Sequence, residues 1–367
     1  MDKKFNIMIL TENKEANPES VCSRMSFDVC GKPVISWVLS VAEKSKPSQI
    51  VVCVGNNEDD IRALLGEGYT YVKCNSDDPE KNVQSGQCCF ASPELPVVVV
   101  YGDAPLLTEE TIRNTAMNQT SNIAFAVSED ANENIRVTNK VLLAEVNRIM
   151  RYKINMSHAL NGVTIMDLYQ TFIESDVEIA PDTVIYPNVY LKGKTKIGSG
   201  VEITDGSLLE NTTIGDGVSI KSSYIYDAVI GQHTTVGPFA YIRPGSVIGE
   251  NCRIGDFVEI KNAIIQNGTK VSHLTYVGDA DVGERVNFGC GTVTVNYNGA
   301  SKFRTVIGND VFLGCNTNLV APVEVEDGAY IAAGSTITDR VPKDTLAIAR
   351  ARQVIKDNWT KPKKEKK

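Results

Sequence analysis

The chain has 367 residues, a formal net charge of −8, 42% hydrophobic and 22% charged residues, and 37 basic against 45 acidic side chains. This composition excludes a mainly disordered chain, and the acidic balance leaves no overall basic footprint for a nucleic-acid partner. No apolar run approaches the roughly 20 residues needed to span a bilayer, and the N-terminal apolar stretch is too short for a secretion signal. A cytoplasmic protein of about two domains, with no membrane partner, is expected.

The nine cysteines (22, 30, 53, 74, 88, 89, 252, 290 and 315) are odd in number and contain no CxxC pair. They argue against a disulfide framework and a zinc site, and read as reduced, mostly buried thiols. The one basic patch is the tail Lys361-Pro362-Lys363-Lys364-Glu365-Lys366-Lys367, a solvated end or, alternatively, an anion-attracting flap.

Residues 1–176 hold 7 glycines and residues 177–367 hold 21. In the first part, β-branched runs at 5–10, 49–54 and 97–101 predict buried strands. Helical periodicity at 33–43, 59–65 and 108–118 alternates with them, which predicts an α/β domain with a mostly parallel sheet. Ligands bind beyond the strand C-terminal ends of such sheets, and Tyr101-Gly102-Asp103 sits at one.

The second part is a repeat array. An apolar residue followed by glycine recurs at Ile230-Gly231 and Val236-Gly237, Ile248-Gly249 and Ile254-Gly255, Val282-Gly283 and Phe288-Gly289, and Ile307-Gly308 and Leu313-Gly314, each pair six residues apart. A hexapeptide period marks a parallel β-helix: the aliphatic side chain fills a narrow prism, and the small residue lets the backbone turn. Residues 177–341 make about nine coils of roughly 18 residues, a prism of about 40 Å. The period breaks between Phe288 and Ile307, which predicts a loop thrown out of one coil and carrying Asn296, Tyr297, Lys302 and Arg304.

Residues 236–359 resemble the acetyltransferase half of the bifunctional N-acetylglucosamine-1-phosphate uridyltransferase/glucosamine-1-phosphate acetyltransferase family. The resembling stretches are Gly237-Pro238-Phe239-Ala240-Tyr241-Ile242-Arg243-Pro244-Gly245, Phe257-Val258-Glu259-Ile260-Lys261, His273-Leu274-Thr275-Tyr276-Val277-Gly278-Asp279-Ala280, Asn296-Tyr297-Asn298-Gly299-Ala300-Ser301-Lys302-Phe303 and Ala321-Pro322-Val323. The resemblance implies a left-handed β-helix, acetyl-CoA as cosubstrate, and a homotrimer with active sites shared between neighbours.

It also implies residue roles. His273 falls where the family has its catalytic base, whereas His233 and His158 read as structural. Arg243, Lys261 and Lys302 match sugar-phosphate contacts, and Tyr276 and Asn287 match sugar contacts. Cys290, Asn296, Tyr297, Cys315, Ala333 and Arg350 match the acetyl-CoA positions, with Cys290 replacing a common Ala and Cys315 a common Ser. A mixed disulfide between Cys315 and oxidised CoA is expected from this placement. The tail near Arg350 and Trp359 is expected to reach an adjacent subunit.

The first half resembles the uridyltransferase half through Gly31-Lys32-Pro33, Tyr101-Gly102-Asp103-Ala104-Pro105-Leu106-Leu107 and Asn161-Gly162. In place of the family's glycine-rich nucleotide loop stands Leu10-Thr11-Glu12-Asn13-Lys14-Glu15-Ala16-Asn17-Pro18. Cradling phosphates needs close backbone N–H groups and positive charge, and Glu12 and Glu15 oppose it. Arg24 falls at the catalytic lysine. Asn161 runs almost directly into the repeats, so roughly fifty residues are missing, among them the asparagine that would help Asp103 hold Mg. Asp103 is then a vestigial Mg ligand or a carboxylate that is simply solvated or caps a helix.

The domains expected are a degenerate, truncated nucleotidyltransferase-like (Rossmann-like) domain at 1–175, an acetyltransferase β-helix at 176–345 and a tail at 346–367. The expected function is acetylation of glucosamine 1-phosphate for the UDP-N-acetylglucosamine pathway, with uridyltransferase activity lost. Retention of both activities (with Mg), another amino-sugar acceptor, and a non-catalytic trimeric scaffold are the alternatives.

Overall fold

The computed structural model describes residues 3–11, 23–74, 76 and 78–360. The altered loop at 12–18, Cys22 and the basic tail at 361–367 lie outside the described residues. The chain forms two units, one running to Asn161 and including Asp167–Val177, the other comprising Gly162–Met166 and the chain from Glu178.

In the first unit a five-stranded sheet has the order Thr70–Lys73, Ile50–Val54, Asn6–Leu10, Val97–Tyr101, Ile123–Phe125, with every pair parallel. The central strand is buried throughout, which explains its unbroken apolar run from Ile7 to Leu10. Ile7 and Ile9 pack with Ile35, Val38 and Ala42 of helix Val34–Lys44 on one side. Met8 and Leu10 pack with Val83 and Phe90 on the other. Strands Thr70–Lys73 and Ile123–Phe125 are the two edges and are only partly covered, so their apolar signal in the sequence is weak. Helices Pro79–Gln87 and Lys140–Leu160 were likewise not legible. The longer one buries only Val146, Ile149, Met150 and Asn155 of its 21 residues.

The second unit is a parallel β-helix. One sheet has nine strands, from Glu178–Ile179 to Val323–Val325, and matches the nine coils read from the period. A second runs from Thr164–Ile165 to Leu346–Ala347, and a third includes the strands from Tyr190–Lys192 to Thr336–Ile337. Most strands contribute one inward apolar side chain. On one sheet these are Ile203, Ile220, Val236, Ile254 and Val271, all 1% exposed or less, so truncating any one would leave a cavity costing about 2–5 kcal/mol. Buried corner threonines satisfy the backbone between coils. Thr234 Oγ1 donates to the Gly249 carbonyl at 2.8 Å and accepts from the Cys252 N–H at 2.9 Å. His233 is a corner residue with φ of 56°, as read.

The break in period is an excursion from one coil. It leaves strand Val293–Val295, turns back at an antiparallel bridge between Tyr297 and Lys302, and re-enters at Thr305–Ile307. Asn298 Oδ1 accepts from the N–H groups of Ala300 and Ser301 and shapes its tip. Its base is clamped by Arg304, which forks onto Asp281 at 2.7 and 2.5 Å and donates to the Asn262 and Ala280 carbonyls.

Among the described cysteines there is no disulfide. Only Cys53, Cys74 and Cys252 are buried, which corrects the expectation of mostly buried thiols. Cys88, Cys89 and Cys315 are exposed and Cys30 and Cys290 half-buried. Among the described residues, no helix is long and apolar enough to cross a membrane.

Candidate active site

One corner of the prism carries a vertical file of residues that the sequence reading expects at the site. Strands Arg253–Asp256 and Lys270–His273 pair in parallel with Asp256 beside His273. The His273 Nδ1 lies 2.7 Å from Asp256 Oδ1, with both side chains open to solvent. The hydrogen bond from His273 holds the Asp256 carboxyl below its ordinary range, so it remains an acceptor at neutral pH. An acceptor at Nδ1 fixes the proton there and leaves Nε2 as the basic nitrogen.

The file continues upward. Lys270 pairs with Asn287, Phe288 with Leu313, and Leu313 with Ile331. The same register sets Cys290 above His273, Cys315 above Cys290 and Ala333 above Cys315. The coils touch closely here: a Cβ at Gly289 would lie 2.5 Å from the Cys315 nitrogen, and one at Gly314 2.4 Å from that of Ala333. Arg350 closes the file, donating to the Ala333 carbonyl at 3.0 Å.

At the other end of the adjoining face is a cation cluster. Strand Tyr276–Gly278 begins three residues after His273 and ends next to Asp279. Arg243 and Lys261 occupy consecutive coils at that end, with the Arg243 N–H on the Ile260 carbonyl. Arg243 is held by Glu259 at 2.7 Å. The excursion brings in Lys302, whose ammonium is held below its ordinary pKa by the neighbouring Lys261. Beneath them Asp279 is buried and accepts from Asn262 and Asn296. Burial alone would push its carboxyl up. Those hydrogen bonds, with the Lys261 and Lys302 charges, outweigh burial and leave it below its ordinary value. Asn296 also donates to the Tyr276 hydroxyl at 3.3 Å. The Tyr276 ring lies over Gly278, where an added Cβ would sit 2.3 Å from its oxygen.

The structure thus gathers His273, Cys290, Cys315, Ala333 and Arg350 at one corner, and Arg243, Lys261, Tyr276, Asn296 and Lys302 at the other edge of the same face. Asn287 lies on the neighbouring sheet. Tyr297 is exposed and turns its hydroxyl to the Gly299 carbonyl. Asp256, Glu259, Asn262 and Asp279 were not read from the sequence. Their signal was the coil spacing: Asp256 to His273, Asn262 to Asp279 and Asp279 to Asn296 are each 17 residues apart.

In the first unit, Asp103 is neither solvated nor a helix cap. It is fully buried, and both its oxygens are taken by Arg136, at 2.7 and 3.0 Å. The Arg136 guanidinium stacks 3.7 Å from the Tyr101 ring centroid, and Arg24 Nη1 lies 3.8 Å from Asp103. Mg needs a near-octahedral set of oxygen ligands. Among the described residues no group of three or more His, Cys, Asp or Glu could hold a metal ion. With both oxygens engaged by the Arg136 guanidinium, Asp103 in this arrangement does not present a free carboxylate to Mg.

Residues 227–262 and 304–339 match the family model for the bacterial transferase hexapeptide (six repeats), and residues 23–159 match the MobA-like NTP transferase domain. Fold and motifs define a hexapeptide-repeat transferase joined to a nucleotidyltransferase-like domain. The Bifunctional protein GlmU of Clostridioides difficile is 36% identical over 452 aligned positions, covering 99% of this chain and 98% of that protein. That of Staphylococcus haemolyticus is 52% identical over 451, covering 97% and 99%. That of Clostridium acetobutylicum is 55% identical over 238, covering 65% and 52%. The chain belongs to the GlmU family. The first two alignments are longer than the 367-residue chain, so it spans those relatives only with deletions.

Proposed function

We propose that the β-helix transfers the acetyl group of acetyl-CoA to the amine of glucosamine 1-phosphate, and that the first unit has no uridyltransferase activity. The observation that carries the acetyl-transfer reading is the Asp256–His273 pair at 2.7 Å, set across one face from the Arg243, Lys261 and Lys302 cluster. A three-residue strand spans about 7 Å between its first and last Cα, a distance that suits a sugar carrying a phosphate at one end and an amine toward the other.

Arg243, Lys261 and Lys302 bind the phosphate dianion, with Arg able to fork onto two oxygens. Tyr276 and Asn287 contact the sugar. His273 Nε2 takes a proton from the substrate ammonium, freeing the nitrogen lone pair. The amine attacks the thioester carbonyl carbon, and the C–S bond breaks as the tetrahedral intermediate collapses. The CoA thiolate leaves and is protonated by the imidazolium. The second proton lost by the nitrogen goes to solvent. Acetyl-CoA lies along Cys290, Cys315, Ala333 and Arg350, whereas Asn296, buried against Asp279, stands at the sugar-phosphate end of the site rather than beside the cofactor.

Two features support a homotrimer with shared sites. Val229, Val247, Ile264 and Val306 expose 41–44% of their surface on one prism face, and Val354, Ile355 and Trp359 of the tail expose 75–77%. Loss of the uridyltransferase site is supported by the Asp103–Arg136 pair, in which a guanidinium takes both oxygens of the only carboxylate read as a metal ligand.

The test is CoA-thiol release from acetyl-CoA and glucosamine 1-phosphate, beside pyrophosphate release from UTP and N-acetylglucosamine 1-phosphate with Mg. Thiol release that disappears in His273→Ala, with no pyrophosphate, is the expected result. Pyrophosphate would overturn the second half of the proposal. Silence in both would point to another acceptor or a scaffold.

A further inference from the structure

Cys290 and Cys315 are 25 positions apart in sequence but occupy the same position of consecutive coils. The excursion at 296–304 supplies the extra residues between them. The Asn316 N–H donates to the Cys290 carbonyl at 2.8 Å, and the Gly334 N–H to the Cys315 carbonyl at 2.8 Å. That register sets the two Cα atoms about one strand spacing apart, ~4.8 Å, inside the ~4.4–6.8 Å that a disulfide spans. Both residues open the same kind of turn, followed by Gly291 at φ 76° and Asn316 at φ 55°, so their side chains leave the corner in the same direction. Cys315 is exposed and Cys290 half-buried, and Cys290 stands one coil above His273.

We propose that Cys290 and Cys315 are a redox-sensitive pair that closes into a disulfide between adjacent coils, reversibly blocking this corner. The oxidant is a low-molecular-weight disulfide, RSSR. The exposed Cys315 thiolate attacks one of its sulfurs, forming a mixed disulfide and releasing RS⁻. The Cys290 thiolate then attacks the Cys315 sulfur, forming the protein S–S bond and expelling the second RS⁻. The two protein thiols are oxidised by two electrons, RSSR is reduced to two thiols, and the two thiol protons end on the leaving thiolates. Side chains leaving a corner in parallel are not ideally aimed at each other, so the bond is strained and easily reduced, as suits a reversible switch rather than a structural staple. Loss of acetyl transfer on closure rests on the proposed placement of acetyl-CoA along this file. Formation of the bond does not.

The two cysteines separate cleanly by digestion. Trypsin cuts after Arg285, Lys302, Arg304 and Arg340, which leaves Cys290 alone on 286–302 and Cys315 alone on 305–340. The full-length protein is treated with oxidised glutathione, digested without reductant and mapped by mass spectrometry. Thiol release from acetyl-CoA is measured before oxidation, after it, and after dithiothreitol. A 286–302/305–340 cross-link, with activity lost and then recovered, is expected. Cys290→Ser and Cys315→Ser are each compared with their own untreated rate, and neither should show that cross-link or the reversible loss. Cys315 found only as a mixed disulfide with glutathione, and no cross-link, would overturn the pair. The cross-link with unchanged activity would overturn the switch and count against acetyl-CoA at this corner.

Discussion

Asp256 and His273 lie on adjacent coils with a carboxylate oxygen 2.7 Å from Nδ1, a contact that exists only because one turn of the prism here is 17 residues long. If His273 is the base, His273→Ala lowers kcat by about 10²- to 10⁴-fold, the usual worth of a positioned general base. Asp256→Asn lowers kcat less and leaves KM for both substrates nearly unchanged, because the amide still orients the ring but no longer selects the Nδ1–H tautomer. A change confined to KM in Asp256→Asn would show that the carboxylate has no part in proton transfer.

The cation cluster has a pH signature. Lys261 beside Lys302 disfavours a second positive charge and lowers the Lys302 pKa, so Lys302 loses its proton earlier on the alkaline side than an isolated lysine. KM for the sugar phosphate therefore begins to rise below the ordinary lysine range. Lys261→Met removes the like charge, so Lys302 titrates higher and the alkaline limb moves to higher pH, even though KM rises overall from the lost contact. A pH profile of KM in both proteins checks the sign.

Asp103 and Arg136 provide a stability test in the first unit. Arg136→Ala leaves a carboxylate buried without its bidentate partner, and breaking a buried pair from one side costs about 3 kcal/mol or more. Urea denaturation should show the unfolding transition of the first unit shifted to lower midpoint and that of the β-helix unmoved. Equal shifts in both transitions, or in neither, would contradict this assignment of the pair.

What the sequence conveyed and what it withheld have a common physical origin. Inward side chains of a β-helix must be apolar at every sixth position, so Ile230, Val236 and Ile254 were legible, and so was the break that becomes the excursion at 296–304. Partners of outward side chains are set by coil length, which a hexapeptide period does not fix to the residue. Asp256, Asn262 and Asp279 therefore went unread although their partners His273 and Asn296 were found. In the first unit, strands buried on both faces announced themselves, whereas edge strands Thr70–Lys73 and Ile123–Phe125 did not. Asp103 was read at the correct strand end, but Arg136, 33 residues away, carries no sequence mark linking it to Asp103.

Arg304 tests whether the excursion is a working part of the site. Its guanidinium forks onto Asp281 and reaches two backbone carbonyls, and it stands two residues after Lys302. The Arg304–Asp281 pair is partly exposed, with side chains 37% and 44% accessible, so its loss costs the fold at most about 1 kcal/mol. Its loss does free the base of the excursion and so the placement of Lys302. Arg304→Ala should therefore raise KM for the sugar phosphate about as much as Lys302→Met does, while the β-helix unfolding midpoint barely changes. Because both substitutions act on the same contact, the double variant should show little further increase. Fully additive effects on KM would mean that Arg304 binds substrate in its own right and does not act through the placement of Lys302.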